Sequence, residues 1–137
     1  MTAHTSQEDA DMRYLALIYS EEVDPSTVSP EQMGEVMEAY NQFTKDARES
    51  GVMLGGEALQ PTSTATSVRV KDGQTVTTDG PFAETREALG GYYLFKCKDL
   101  DEAIEWAARI PGARDGTIEV RPIMEFPDQD PGAGEGA

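Results

Sequence analysis

A chain of 137 residues is one domain's worth, long enough to bury a core without disulfide or metal staples. With 26 Asp and Glu against 11 Lys and Arg, its formal charge of −15 repels phosphate backbones, which excludes nucleic acid and anionic membrane as partners. No apolar run approaches the ~18 residues of a membrane helix, and the opening MTAHTSQEDADM has neither the basic start nor the apolar stretch of a secretory signal, so the expected location is the cytoplasm.

Residues 1–11 are polar and aperiodic, and residues 127–137, PDQDPGAGEGA, carry no large apolar side chain. Both read as disordered ends, leaving a folded unit over 12–126. RYLALIY, 13–19, is a near-continuous apolar run that suits a central strand covered on both faces. After a loop, Ser29-Pro30-Glu31-Gln32 opens a helix: Ser29 caps, Pro30 fits the first helical position, and Gln32 completes a capping box. Met33, Val36, Met37, Tyr40, Phe43 and Ala47 recur at helical spacing as a stripe expected to pack in the core, and Gly51 stops the helix. VMLGGEAL, 52–59, is a second strand in which Gly55-Gly56 predicts a bulge or a close backbone approach. Runs 66–71 and 74–78 flank Asp72-Gly73, a hairpin signal.

YYLFKC, 92–97, is the next strand, and its lone Cys97 reads as a small core residue. Asp99 caps a second helix with Glu102 reaching back, and Leu100, Ala103, Ile104, Ala107 and Ala108 form the stripe expected to be buried. Pro111-Gly112 ends it, and TIEVRPIMEF, 117–126, is the last strand. The order is β-α-β, an inserted hairpin, then β-α-β, which predicts an α+β, ferredoxin-like fold with two helices on one face of an antiparallel sheet.

The last strand alternates. Ile118, Val120, Pro122, Met124 and Phe126 are expected under the helices; Thr117, Glu119, Arg121, Ile123 and Glu125 face away. The first strand nevertheless has apolar residues on both faces, Tyr14, Ala16 and Ile18 on one and Leu15, Leu17 and Tyr19 on the other. Strand 92–97 sets Tyr93, Phe95 and Cys97 opposite Tyr92, Leu94 and Lys96, so the face that two helices cannot cover is part apolar and part charged. A patch of that kind is unusual on a monomer, and a second copy packing sheet against sheet would cover it, with the polar residues lining a cavity at the junction.

TTDGPFAET, 77–85, ends a strand in an acid, a glycine, a proline and an aromatic. Asp79 is expected to form an Asx turn, Gly80 to supply open dihedrals, Pro81 to stiffen the corner, and Phe82 to point inward as its anchor. This is either a structural turn or a ligand loop.

DGPFAETREALGGYYLF, with GGEALQP upstream and EVRPIMEF at the end, resembles the DGPF-type branch of the YCII-related proteins. The likeness extends through RYLALIY, SPEQMGEVMEAYNQF and LDEAIEWAARIP, over about residues 12–126. It implies a dimeric ferredoxin-like α+β barrel from a bacterial cytoplasm, a homodimer with no settled activity, in a branch often encoded beside extracytoplasmic-function sigma factors. Some YCII proteins pair a histidine near the start of the first helix with an aspartate before the final strand. Here those positions correspond to Gln32 and to Ile110 or nearby, and the only histidine is His4. Acid–base work would then fall to carboxylates or tyrosines. Asp79 is the candidate catalytic carboxylate, with Glu57, Glu84 and Glu87 as neighbours. A small-molecule cleft would take in Gly80, Pro81, Phe82, Tyr19 and Tyr92, with Arg69 and Arg121 either binding an anion or pairing across strands. The alternative is a non-catalytic dimeric partner in a sigma-factor-linked regulatory system.

No cofactor motif is present. GGE and GGYY lack phosphate-loop spacing, zinc and copper lack His and paired Cys, and GxSxG is absent. A hard cation on Glu57, Asp79 and Glu84 would have no calcium-loop spacing behind it.

Overall fold

The computed structural model describes residues 11–127. The disordered ends expected at 1–11 and 127–137, His4 among them, otherwise lie outside the described residues. In chain order come β1 (Met12–Ser20), α1 (Pro30–Glu49), β2 (Met53–Ala58), β3 (Thr66–Lys71), β4 (Gln74–Asp79), β5 (Ala88–Cys97), α2 (Leu100–Arg109) and β6 (Thr117–Pro122). Single 3-10 turns stand at Pro25–Thr27, Thr62–Thr64 and Pro111–Ala113. The main sheet runs β2-β5-β1-β6 with every neighbour antiparallel, and β3 and β4 pair apart from it. Two helices with antiparallel sheets make the chain α+β, in the strand order of a ferredoxin-like fold.

Local chemistry sets the helix starts. Ser29 Oγ accepts from the Gln32 N–H at 3.1 Å, and Gln32 Oε1 accepts from the Ser29 N–H at 2.9 Å, closing the capping box. At α2, Asp99 Oδ1 accepts from the Glu102 N–H at 2.9 Å, while the Glu102 side chain reaches back to the Lys98 N–H at 2.8 Å. Between helices and sheet lies one core of Tyr14, Ala16, Phe43, Ala47, Tyr93, Phe95, Cys97, Ala103 and Ile110. Phe43 sets its ring edge-on to Tyr93 at 5.0 Å and to Trp106 at 6.1 Å, pairs worth about 0.5–1.5 kcal/mol each beyond their buried area. Cys97 is part of this core, and burial pushes its thiol up to about 12.

Three expectations change. The stripe on α1 is only half buried: Phe43 and Ala47 enter the core, but Met33, Val36 and Met37 are exposed. Tyr40 lines one cleft with Ser20, the last residue of β1, and the helix buries no residue before Phe43. On α2 only Ala103 and Ala107 of the expected stripe are buried, and Leu100 and Ile104 are exposed, because two small residues let the helix sit close and narrow its contact. The last strand stops at Pro122 rather than residue 126. Proline has no N–H for the ladder, and after one further bond, Ile123 N–H to Arg13 O at 2.9 Å, only Met12 of β1 remains. Met124 and Phe126 are therefore exposed, and Arg13 holds the segment through a two-pronged contact with Glu125 at 2.8 and 2.9 Å.

Both glycine signals in the sheet are structural. Leu54 is the extra residue of a bulge between Met53 and Gly55. A Cβ on Gly56 would come within 2.7 Å of the Tyr93 ring and 2.8 Å of Tyr92 O. β5 starts at Ala88, four residues earlier than expected, because a second bulge at Gly90 lets it stay paired: Ile18 faces Gly91 and Tyr19 faces Leu89. The β3–β4 turn has positive φ at Asp72 and Gly73, as a tight hairpin turn requires. Val68, Val70 and Val76 on this hairpin are exposed, Val70 at 72%. A two-stranded sheet bare on both sides is marginal alone.

Candidate functional site

β4 delivers Asp79 opposite Thr66 and then turns at Gly80, whose φ of +98° suits glycine and strains other residues. Two bonds hold this corner. The Gly80 N–H donates to Ala65 O at 2.7 Å, and Ser67 Oγ donates to Gly80 O at 2.8 Å. The expected Asx turn does not form, for a reason legible in the sequence: the residue two beyond Asp79 is Pro81, which has no N–H to give. Nor does Phe82 anchor the loop inward. Its side chain is 85% exposed, at the rim of a groove rather than in the core.

That groove, of about 930 Å³, lies between segment 59–65 and segment 80–89, with Tyr19 and Leu89 of the sheet at its end. It brings together Tyr19, Gly80, Pro81, Phe82 and Glu84. The opposite wall is the Thr62–Thr64 turn, fixed by Glu22, whose carboxylate accepts from the Thr62 N–H at 2.8 Å and from the Thr62 hydroxyl at 2.5 Å. Thr64 Oγ1 donates to Pro61 O at 2.7 Å. The carboxylates among the lining residues are Glu22 and Glu84, and no Lys or Arg lines the groove among the described residues. Such a site favours a neutral or positively charged occupant.

The Thr62 hydroxyl and N–H hold the Glu22 carboxyl below its ordinary value of 4.5. A depressed carboxyl stabilises the fold above its unfolded pKa, and the contribution is lost as pH falls through 4.5 and below. The Thr62 amide should therefore exchange with solvent markedly faster at pH 3 than at pH 6, once corrected for intrinsic exchange. Unchanged protection across that range would show that Glu22 does not hold the wall.

The other expected residues lie elsewhere. Asp79 is exposed and does not line the groove. Arg69 is exposed in the middle of β3, with no salt bridge among the described residues. Arg121 lies on the helix-free face opposite Leu15 and approaches Glu119, on its own strand, at 3.9 Å, so it is not a cross-strand pair. Glu87 Oε1 accepts from Thr117 Oγ1 at 3.1 Å. Glu57 and Tyr92 face each other across β2 and β5. Glu57, Asp79 and Glu84 do not converge, since no group of three potential ligands able to hold a metal ion occurs among the described residues.

A second, smaller cleft of about 380 Å³ opens on the helix side of the sheet, under α1. Tyr40, Thr44, Arg48 and Tyr93 line it, none of them expected as site residues, and the expected Glu57 and Tyr92 border it. The signal was present: Tyr40, Thr44 and Arg48 follow at i, i+4 and i+8, and each ends in a polar group on one face of a helix.

A family model described as the YCII-related domain matches residues 12–127. A Rhizobium meliloti (strain 1021) protein described only as uncharacterized is 38% identical over 117 residues, covering 84% of this chain and 94% of that protein.

Proposed function

The chain belongs to the YCII-related domain family, and we propose that it acts as a homodimer binding a small neutral or cationic molecule in the groove beside the Gly80–Phe82 loop. One observation carries this: a groove of about 930 Å³ lined by the carboxylates Glu22 and Glu84 and by no Lys or Arg among the described residues. Concave volumes of ~300–1,000 Å³ with a few convergent polar groups are where small molecules bind. Glu22 is committed to Thr62, which leaves Glu84 as the carboxylate that meets an ammonium or takes a proton. Any proton-transfer chemistry would then run through Glu84, with Asp79 outside the groove.

The dimer is inferred from the helix-free face. Register aligns Leu15 with Leu94 and Leu17 with Tyr92, making a contiguous apolar patch that a second sheet would cover. A non-catalytic role in a sigma-factor-linked regulatory system is favoured instead by the Phe82 ring, which stands exposed as a protein-docking side chain would.

Titrating benzylamine into 15N-labelled protein separates these readings. Saturable shifts are expected at the amides of Thr62, Ser63, Gly80 and Ala83, and Glu84→Gln should weaken binding about tenfold, as loss of a charge-assisted hydrogen bond does. Asp79→Asn should leave the affinity unchanged. No saturable shift at those amides, or equal affinity in Glu84→Gln, would overturn the proposal.

A further inference from the structure

We propose that the cleft under α1 is a second small-molecule site, of opposite charge preference to the groove, taking a small aromatic or branched carboxylic acid. Gly56 and Gly91 form its floor where β2 and β5 lie too close for a side chain: a Cβ on Gly91 would come within 2.9 Å of Glu57 O, and one on Gly56 within 2.8 Å of Tyr92 O. Above the floor, Tyr93 Oη and Thr44 Oγ1 lie 3.2 Å apart and share a hydrogen bond. Tyr40 Oη packs on Gly112, where a Cβ would come within 2.8 Å of that oxygen. Ile18 and Met53 supply apolar wall.

Arg48 is the cation among the lining residues, and it has no carboxylate within 4.0 Å among the described residues. Glu57 borders the cleft too, but register turns its side chain with Tyr92 toward the helix-free face. The charge presented inside is thus positive, in a protein of formal charge −15. A guanidinium takes a carboxylate in two-pronged fashion. The volume, near the low end for ligand pockets, fits a single ring or a short branched chain. Tyr93 and Thr44 hydroxyls meet a polar substituent on that body.

Phenylacetate, titrated into the 15N-labelled full chain, is the probe. The expected result is saturable shifts at the amides of Thr44, Gly56, Gly90 and Gly91, with little movement at 80–84. Arg48→Ala should weaken binding about tenfold, Arg48→Lys should recover part of it, and Lys45→Ala, on the same helix outside the cleft, should match the parent chain. Thr44→Val should weaken 4-hydroxyphenylacetate more than phenylacetate. Shifts confined to 80–89, equal binding in Arg48→Ala and the parent, or equal loss in Lys45→Ala would each overturn the proposal. Its failure would leave the benzylamine result untouched.

Discussion

Leu17→Glu is expected to convert a particle of two chains into one of a single chain, read as a halved mass by sedimentation equilibrium. Leu17 lies between Tyr92 and Glu119 on the helix-free face, with Glu57 beyond Tyr92. A glutamate there joins two carboxylates in one row and, in the proposed dimer, would meet its symmetry mate's acids. Leaving a charge unpaired in a closed interface costs about 3–5 kcal/mol, so dissociation should rise at least about a hundredfold. The single chain already leaves Leu17 half exposed, so the circular dichroism spectrum should be unchanged. A Leu17→Glu protein with the parent's mass, or a parent that sediments as one chain, would remove the sheet-to-sheet dimer.

Phe95→Ala should bring the largest loss of stability. The side chain is completely buried, stacks on Tyr93 at 5.9 Å and lies 6.2 Å from Phe43. It pairs with Tyr14 on β1 and with Met53 on β2, so a void there loosens three strands at once. Deleting such a ring costs about 3–5 kcal/mol, a large share of the ~5–15 kcal/mol by which domains are stable. Phe95→Leu should cost less, about 1.5 kcal/mol. Urea midpoints of the three proteins measure this, and a Phe95→Ala loss under about 1 kcal/mol would mean that the core is not centred on this ring.

Local chemistry was legible where one residue dictates geometry. Ser29 with Gln32, Asp72-Gly73 and the glycines of β2 each carried their outcome in the sequence, and so did the alternation of β6 as far as Val120, whereas Pro122, expected under the helices, is exposed. Questions of extent were not legible. Periodicity assigned Met33 and Met37 a face but could not say that burial along the helix begins only at Phe43. For the site, the loop at Gly80–Phe82 and its neighbours Tyr19 and Glu84 were found together. Asp79 fell outside the groove, because a strand's last side chain and the next residue's backbone point different ways. Of the cleft under α1, Glu57 and Tyr92 at its border were among the expected residues, but its helix wall was missed because a tyrosine at helical spacing is first taken for packing.

Gly80 has both its backbone groups spent on the base of β3, so the groove wall cannot shift without the hairpin. The hairpin is bare on both sides within one chain, so a partner that gripped its valines would bear on the groove wall through Ala65 and Ser67, and by thermodynamic reciprocity an occupant of the groove would then change that grip by the same factor.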